Sequence, residues 1–100
     1  MTSANFDPLI HAQHRLQICA ILALTDEIEF KIIREKLEVS DSVLSKHLKS
    51  LEEANYVQLT KRKEMGRQRT WLSLTVKGRV AFKAHVKALQ NIVDNVSEST

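Results

Sequence analysis

Four side chains suited to probing a nucleic-acid groove stand close together in this chain. Ser42, Ser45, Lys46 and Lys49 fall on one flank of any helix that advances about 100° per residue. Short hydroxyl groups near a helix start let the backbone approach base edges, and lysines reach phosphates or guanine acceptors. Shortly beyond, the run KRKEMGRQR sets Lys61, Arg62, Lys63, Arg67 and Arg69 against Glu64 alone. Arg67, beside Gly66, is the cation best placed to enter a minor groove. Taken singly, the helix flank reads as a solvated surface and the run as ordinary surface lysines and arginines. Their adjacency turns the reading toward double-stranded DNA, with one element reading bases and the other holding phosphate.

The surrounding pattern supplies elements to carry these groups. Asp7 is an N-cap and Pro8 a first helical residue, so a helix is predicted over 7–24, apolar nearly all round from Ile18 to Leu24. That wrap calls for more cover than a small domain easily supplies. Ile28 sits in a minimal strand, and Phe30, Ile33 and Leu37 mark the buried face of a second helix. The tight link Glu38 to Ser40 leads to a third helix, with Ser40 as its cap and Val39 stapled to Leu44. Leu44, Leu48 and Leu51 hold that helix, opposite the serines and lysines, with His47 between the two faces. Residues 29–54 therefore read as a helix-turn-helix, stopped at Asn55 in the left-handed conformation. Alternation of Val57 and Leu59, then of Leu72 and Leu74, predicts a hairpin over 57–74 turning at Gly66. The fold class expected is mainly α with a small β-hairpin wing, and residues 1–100 are read as one winged-helix domain.

The run SDSVLSKHLKSLEEANYVQLTKRKEMGRQRTWLSLTVKGRVAF resembles the winged helix-turn-helix core of MarR-type transcriptional regulators, especially their short single-domain relatives. The likeness spans about 14 to 90 and is most specific at Leu44 to Leu48, Leu51 to Ala54, Gly66 Arg67, Leu74 Thr75 and Gly78 Arg79. It implies that the helix of Ser42, Ser45, Lys46 and Lys49 is a recognition helix and that Arg67 and Arg69 serve the wing. Asn55 stands where members usually carry glycine, a change the left-handed backbone accepts. The related ArsR-type sensors share the layout, but the metal ligands that likeness would require are mostly missing. His85 is the only ligand on the last helix, and Val96 stands where a second would be.

Other chemistry finds less support. His11 and His14 are three apart and could join Asp7 in a surface metal site, but two exposed histidines are the plainer reading. Cys19, among apolar neighbours, reads as buried rather than as a redox switch. No Ser/His/Asp, Cys/His or paired-carboxylate set has motif spacing and no glycine loop cradles phosphate, so neither a catalytic residue nor a cofactor is expected. The net charge of +3 means less than its placement. A single cysteine, the lack of a membrane-spanning apolar run, and a start, MTSANFDP, without secretory character predict a cytoplasmic protein with no membrane partner.

The last predicted helix, 75–96, carries Phe82, Val86, Leu89, Val93 and Val96 at intervals of four, three, four and three, broadened by Ile92 and Ala81. This is the period of a coiled-coil seam. Laid against the first helix and a second copy, it predicts a two-fold homodimer and hence an inverted-repeat operator with half-sites about one helical turn apart. The alternative is that the helix folds back on its own domain. Repression follows from steric logic, since so small a chain has little surface to spare for recruiting polymerase. A small-molecule effector has no signature here. The competing functions are a winged helix used as a protein-interaction module and a metal- or redox-responsive regulator.

Overall fold

The computed structural model describes residues 6–98. Its elements follow the order α1 (Pro8–His11), α2 (Gln13–Ala23), β1 (Ile28–Glu29), α3 (Phe30–Leu37), α4 (Asp41–Glu53), β2 (Val57–Glu64), β3 (Arg67–Leu74) and α5 (Val76–Glu98). The strands form an antiparallel sheet in the order β1-β3-β2, with Ile28 opposite Leu72 and Val57 opposite Leu74. The fold is therefore mainly helical with a small three-stranded sheet, as the alternation and helical spacings predicted.

Two expectations about the first helix change. It begins as predicted, with Asp7 Oδ1 accepting from the Leu9 and Ile10 amides at 2.9 and 3.2 Å. It then breaks at Ala12, whose φ of −58° and ψ of 138° are extended, so α1 and α2 are separate helices. The apolar wrap of α2 is also covered largely by its own chain. Ile18, Cys19 and Leu22 are fully buried, Leu16, Ile21 and Ala23 pack against the same core, and α3, α4, α5 and β3 all touch α2. A helix apolar on most sides is stable here because it occupies the centre of the layers.

α3 is capped at Glu38 in the left-handed conformation (φ 56°) and α4 begins three residues later at Asp41, which sets the sharp angle between them. α4 in turn ends at Asn55 (φ 65°), where the Tyr56 amide donates to the Leu51 carbonyl at 2.9 Å and closes the helix. The same corner starts α5. The Thr75 amide donates to the Tyr56 carbonyl at 3.0 Å, the Thr75 hydroxyl donates to the Asn55 carbonyl at 2.6 Å, and Thr75 Oγ1 accepts from the Gly78 amide at 2.9 Å. Thr75 is thus a cap and not the first helical residue.

Gly78 is buried in this corner, and a Cβ on it would fall on the Tyr56 carbonyl oxygen. Gly78→Ala is expected to lower stability by about 1–3 kcal/mol, because the obstacle is backbone that cannot rotate away. A lower urea midpoint at unchanged slope is the measurement; an unchanged midpoint would show that the corner yields freely.

Candidate nucleic-acid interface

α4 presents two opposed faces. Leu44, Leu48 and Leu51 are buried, while Ser42, Ser45, Lys46 and Lys49 are all exposed on the other flank. The helix is fixed at its start by Ser40 Oγ, which accepts from the Val43 amide at 3.2 Å. Arg34 of α3 donates to Asp41 Oδ1 at 2.8 Å, binding the two helices across their turn. Val43, 39% exposed beside Ser42, adds an apolar group that the serine and lysine pattern did not single out.

His47 is not a free polar residue. Its Nδ1 accepts from Arg15 Nη1 at 3.1 Å, and Arg15 Nε donates to the Leu9 carbonyl at 2.6 Å, pinning α4 to the break between α1 and α2. Burial, then the charges of Arg15, His14 and Lys46, push His47 below the ordinary histidine range, so its Nδ1 stays an acceptor at neutral pH.

The hairpin closes on a two-residue turn, Met65 and Gly66, both with positive φ (51° and 79°), the geometry that matches the twist of paired strands. Strand alternation divides its cations between two faces. Lys61 and Lys63 continue the face on which Val57 and Leu59 meet the helical core. Arg62, Arg69 and Arg67 share the other face with Glu64 and Trp71, as their pairings Arg62 to Arg69, Glu64 to Arg67 and Thr60 to Trp71 require.

On that second face the charge is partly compensated. Arg62 Nη2 donates to Glu27 Oε1 at 2.6 Å while its guanidinium lies 4.6 Å from the centroid of the Trp71 ring. Arg69 Nη1 lies 3.3 Å from Glu29 Oε1, and Glu64 stands 3.7 Å from Arg62 and 3.9 Å from Arg69. Arg62 and Arg69 are therefore braced by carboxylates from the segment around β1. Lys61, Lys63 and Arg67 are exposed, and among the described residues no ion pair holds them. Glu27 and Glu29 were not singled out from sequence; their flanking of the β1 residue Ile28 was the only local signal.

Helix, tight turn, second helix and a basic two-stranded wing now stand in one array. The profile of the family described as a winged helix DNA-binding domain matches residues 14–93. The chain belongs to that family. This winged helix domain is 38% identical over 82 residues to an uncharacterized protein of Methanocaldococcus jannaschii, covering 82% of this chain and 89% of that one. Among solved structures, it superposes on a transcriptional regulator homologue from Pyrococcus horikoshii with a TM-score of 0.83 at 24% identity, over 88% and 87% of the two chains. HlyU from Vibrio cholerae gives a TM-score of 0.60 at 25% identity, over 75% and 77%. The fold is thus the winged helix of a DNA-binding domain family.

The remaining candidate ligands of the winged helix domain are separated by the break at Ala12. His11 turns to His85, with its Nδ1 3.2 Å from His85 Nε2, whereas His14 stacks near His47 with ring centroids 5.4 Å apart. Among the described residues no group of three or more His, Cys, Asp or Glu side chains could hold a metal. Burial, and secondarily the charge of Asp7, push the Cys19 thiol up to about 12, so it is protonated at neutral pH. An open cleft of about 410 Å³ lies between Phe6, Asp7, Tyr56 and the first turns of α5 at Lys77, Val80 and Ala81. Among the described residues no helix is long and apolar enough to cross a membrane.

Replacing Arg62 by alanine should remove the Glu27 bond and uncover the single tryptophan, Trp71. Emission is expected to shift to the red, with a loss of stability of at most about 1 kcal/mol since the pair is partly solvated. Unchanged emission would mean that the guanidinium does not cover the ring in solution.

Proposed function

We propose that this protein is a sequence-specific, double-stranded DNA-binding transcriptional regulator of the MarR type, acting in the cytoplasm as a homodimeric repressor. The observation that carries the reading is the exposed flank of Ser42, Ser45, Lys46 and Lys49 on a braced α4, accompanied on the wing by Lys61, Lys63 and Arg67 without internal counter-charges. α4 enters a major groove as the recognition helix, and Arg67 at the wing tip reaches the adjacent minor groove. Arg62 and Arg69 lie on the wing as well, but their carboxylate partners must be exchanged for phosphate before they contribute. A protein-interaction module needs no such concentration of unpaired cations, and a redox or metal sensor finds neither a reactive thiol nor a ligand set among the described residues.

The dimer belongs to the far half of α5. The six residues 91–96 are all exposed, and Val86, Ile92, Val93 and Val96 lie open at 43, 48, 56 and 61%. At about 1.5 Å per residue the 23-residue helix is about 34 Å long, more than the domain beneath it can cover. Phe82 and Leu89 anchor the inner end of this stripe, and a second copy laid along it would bury the rest. The central position of α2 leaves the open stripe of α5 as the principal dimer element, with the first helix packed beneath it.

Two experiments test the reading. In a mobility-shift titration, Lys46→Ala and Arg67→Ala should each weaken binding by about 1–3 kcal/mol, and affinity should fall steeply with salt. Arg62→Ala should weaken it less. Equal affinity for all three variants and the parent would remove these roles. Leu89→Glu is expected to sediment as a monomer and to lose DNA affinity at the same time, and a dimeric Leu89→Glu would remove the seam.

A further inference from the structure

We propose that His85 is an acid-operated latch joining α5 to the end of the recognition helix, so that proton uptake by His85 loosens DNA binding; the regulatory half of the proposal rests on the DNA-binding reading above.

The latch is a continuous path of hydrogen bonds. His85 is fully buried, and its Nδ1 accepts from the Asp7 amide at 2.9 Å. With that lone pair engaged, the neutral ring carries its proton on Nε2, which donates to His11 Nδ1 at 3.2 Å. The Phe6 ring lies against both imidazoles, 4.8 Å from each centroid. Asp7 passes the connection on. One carboxylate oxygen caps α1, and the other accepts from the Tyr56 hydroxyl at 2.6 Å. Tyr56 is the first residue beyond the left-handed stop of α4, and its own amide closes that helix on Leu51. His85, Asp7, Tyr56 and Leu51 thus run in series from α5 to α4, and Asp7 and Tyr56 line the open cleft.

Protonation acts on the link between His85 and the Asp7 amide. A charged imidazole has N–H on both nitrogens, so Nδ1 would meet the Asp7 amide donor to donor, and the charge would stand beside His11. The ionisable groups facing the path from each packed element are His11 on α1, the Asp7 carboxylate, Cys19 on α2, Tyr56 after α4 and Lys77, whose Nζ lies 5.6 Å from the Tyr56 ring. Cys19 and Tyr56 are both held protonated, and only Asp7 favours the charged imidazole. Burial, then the neighbouring His11, outweigh it and hold His85 below its ordinary 6.5. A histidine depressed by folding adds stability that is complete above 6.5 and is lost as pH falls through the lower folded value. The latch therefore opens on the acid side.

The test follows urea stability and binding of a labelled mixed-sequence duplex from about pH 8 to about pH 5 at fixed ionic strength, in the whole chain and in His85→Gln and Tyr56→Phe. The parent should lose stability and DNA affinity below the ordinary histidine range, affinity by up to about tenfold per pH unit for one coupled proton. Glutamine can still accept from the Asp7 amide but cannot titrate, so His85→Gln should be flatter in both measurements. Tyr56→Phe should keep the pH-dependent stability and lose the matching change in affinity. A parent whose stability ignores pH, or a His85→Gln variant that titrates like the parent, overturns the latch. Should His85→Gln fail to fold, ring-nitrogen NMR of the parent decides instead. A neutral Nε2–H tautomer titrating below the ordinary range supports the latch, and an Nδ1–H tautomer or an ordinary titration overturns it. The stability and NMR measurements need no DNA, so a chain that holds no duplex would refute the regulator reading separately.

Discussion

Everything in this molecule is arranged around the removal of α2 from water. Ile18, Cys19 and Leu22 form the centre against which α3, α4, α5 and β3 are laid, so the positions of α4 and the wing are consequences of that packing. A helix that is apolar on most sides cannot rest on a surface, and it leaves the other elements one arrangement in which their own narrower stripes also become buried. Leu44, Leu48 and Leu51 are spent on this contact, which is why the serines and lysines of α4 are left facing outward.

Polar junctions then refine what hydrophobic packing sets only coarsely. Arg34 with Asp41, Arg15 with His47 and the Leu9 carbonyl, and the corner of Asn55, Tyr56, Thr75 and Gly78 each fix one end or side of α4. Such directional bonds add little net stability apiece, but they determine the angle at which a helix is presented. That angle is what a groove of fixed width demands.

The wing shows how a cationic surface is kept from being merely sticky. Glutamates from the β1 segment neutralise the two arginines nearest the sheet, and Trp71 gives Arg62 a flat surface to lie on. The uncompensated charge is thereby confined to Lys61, Lys63 and Arg67, where long-range attraction can steer a polyanion without destabilising the strands beneath. A path of hydrogen bonds from the buried His85 through Asp7 to Tyr56 joins the same α4 to the long C-terminal helix.

The sequence by itself determined the local features, because caps, stops and periodicities act between residues that are neighbours along the chain. Asp7 and Ser40 as caps, Asn55 in the left-handed region, the leucine face of α4 and the hairpin around Gly66 were all legible for that reason. The break at Ala12 was not, since the contacts on either side of it, His11 with His85 and Arg15 with His47, join residues 74 and 32 positions apart along the chain. Only the tertiary structure decided which cations are free. Glu27 is 35 residues from Arg62 and Glu29 is 40 from Arg69, so the run from Lys61 to Arg69 looked opposed by Glu64 alone until the sheet brought those carboxylates across. The histidines followed the same rule. His11 and His14 looked like a pair along the chain and became partners of His85 and His47 in space, because a proton-binding group answers to whatever charges and dipoles packing places within a few ångströms of it.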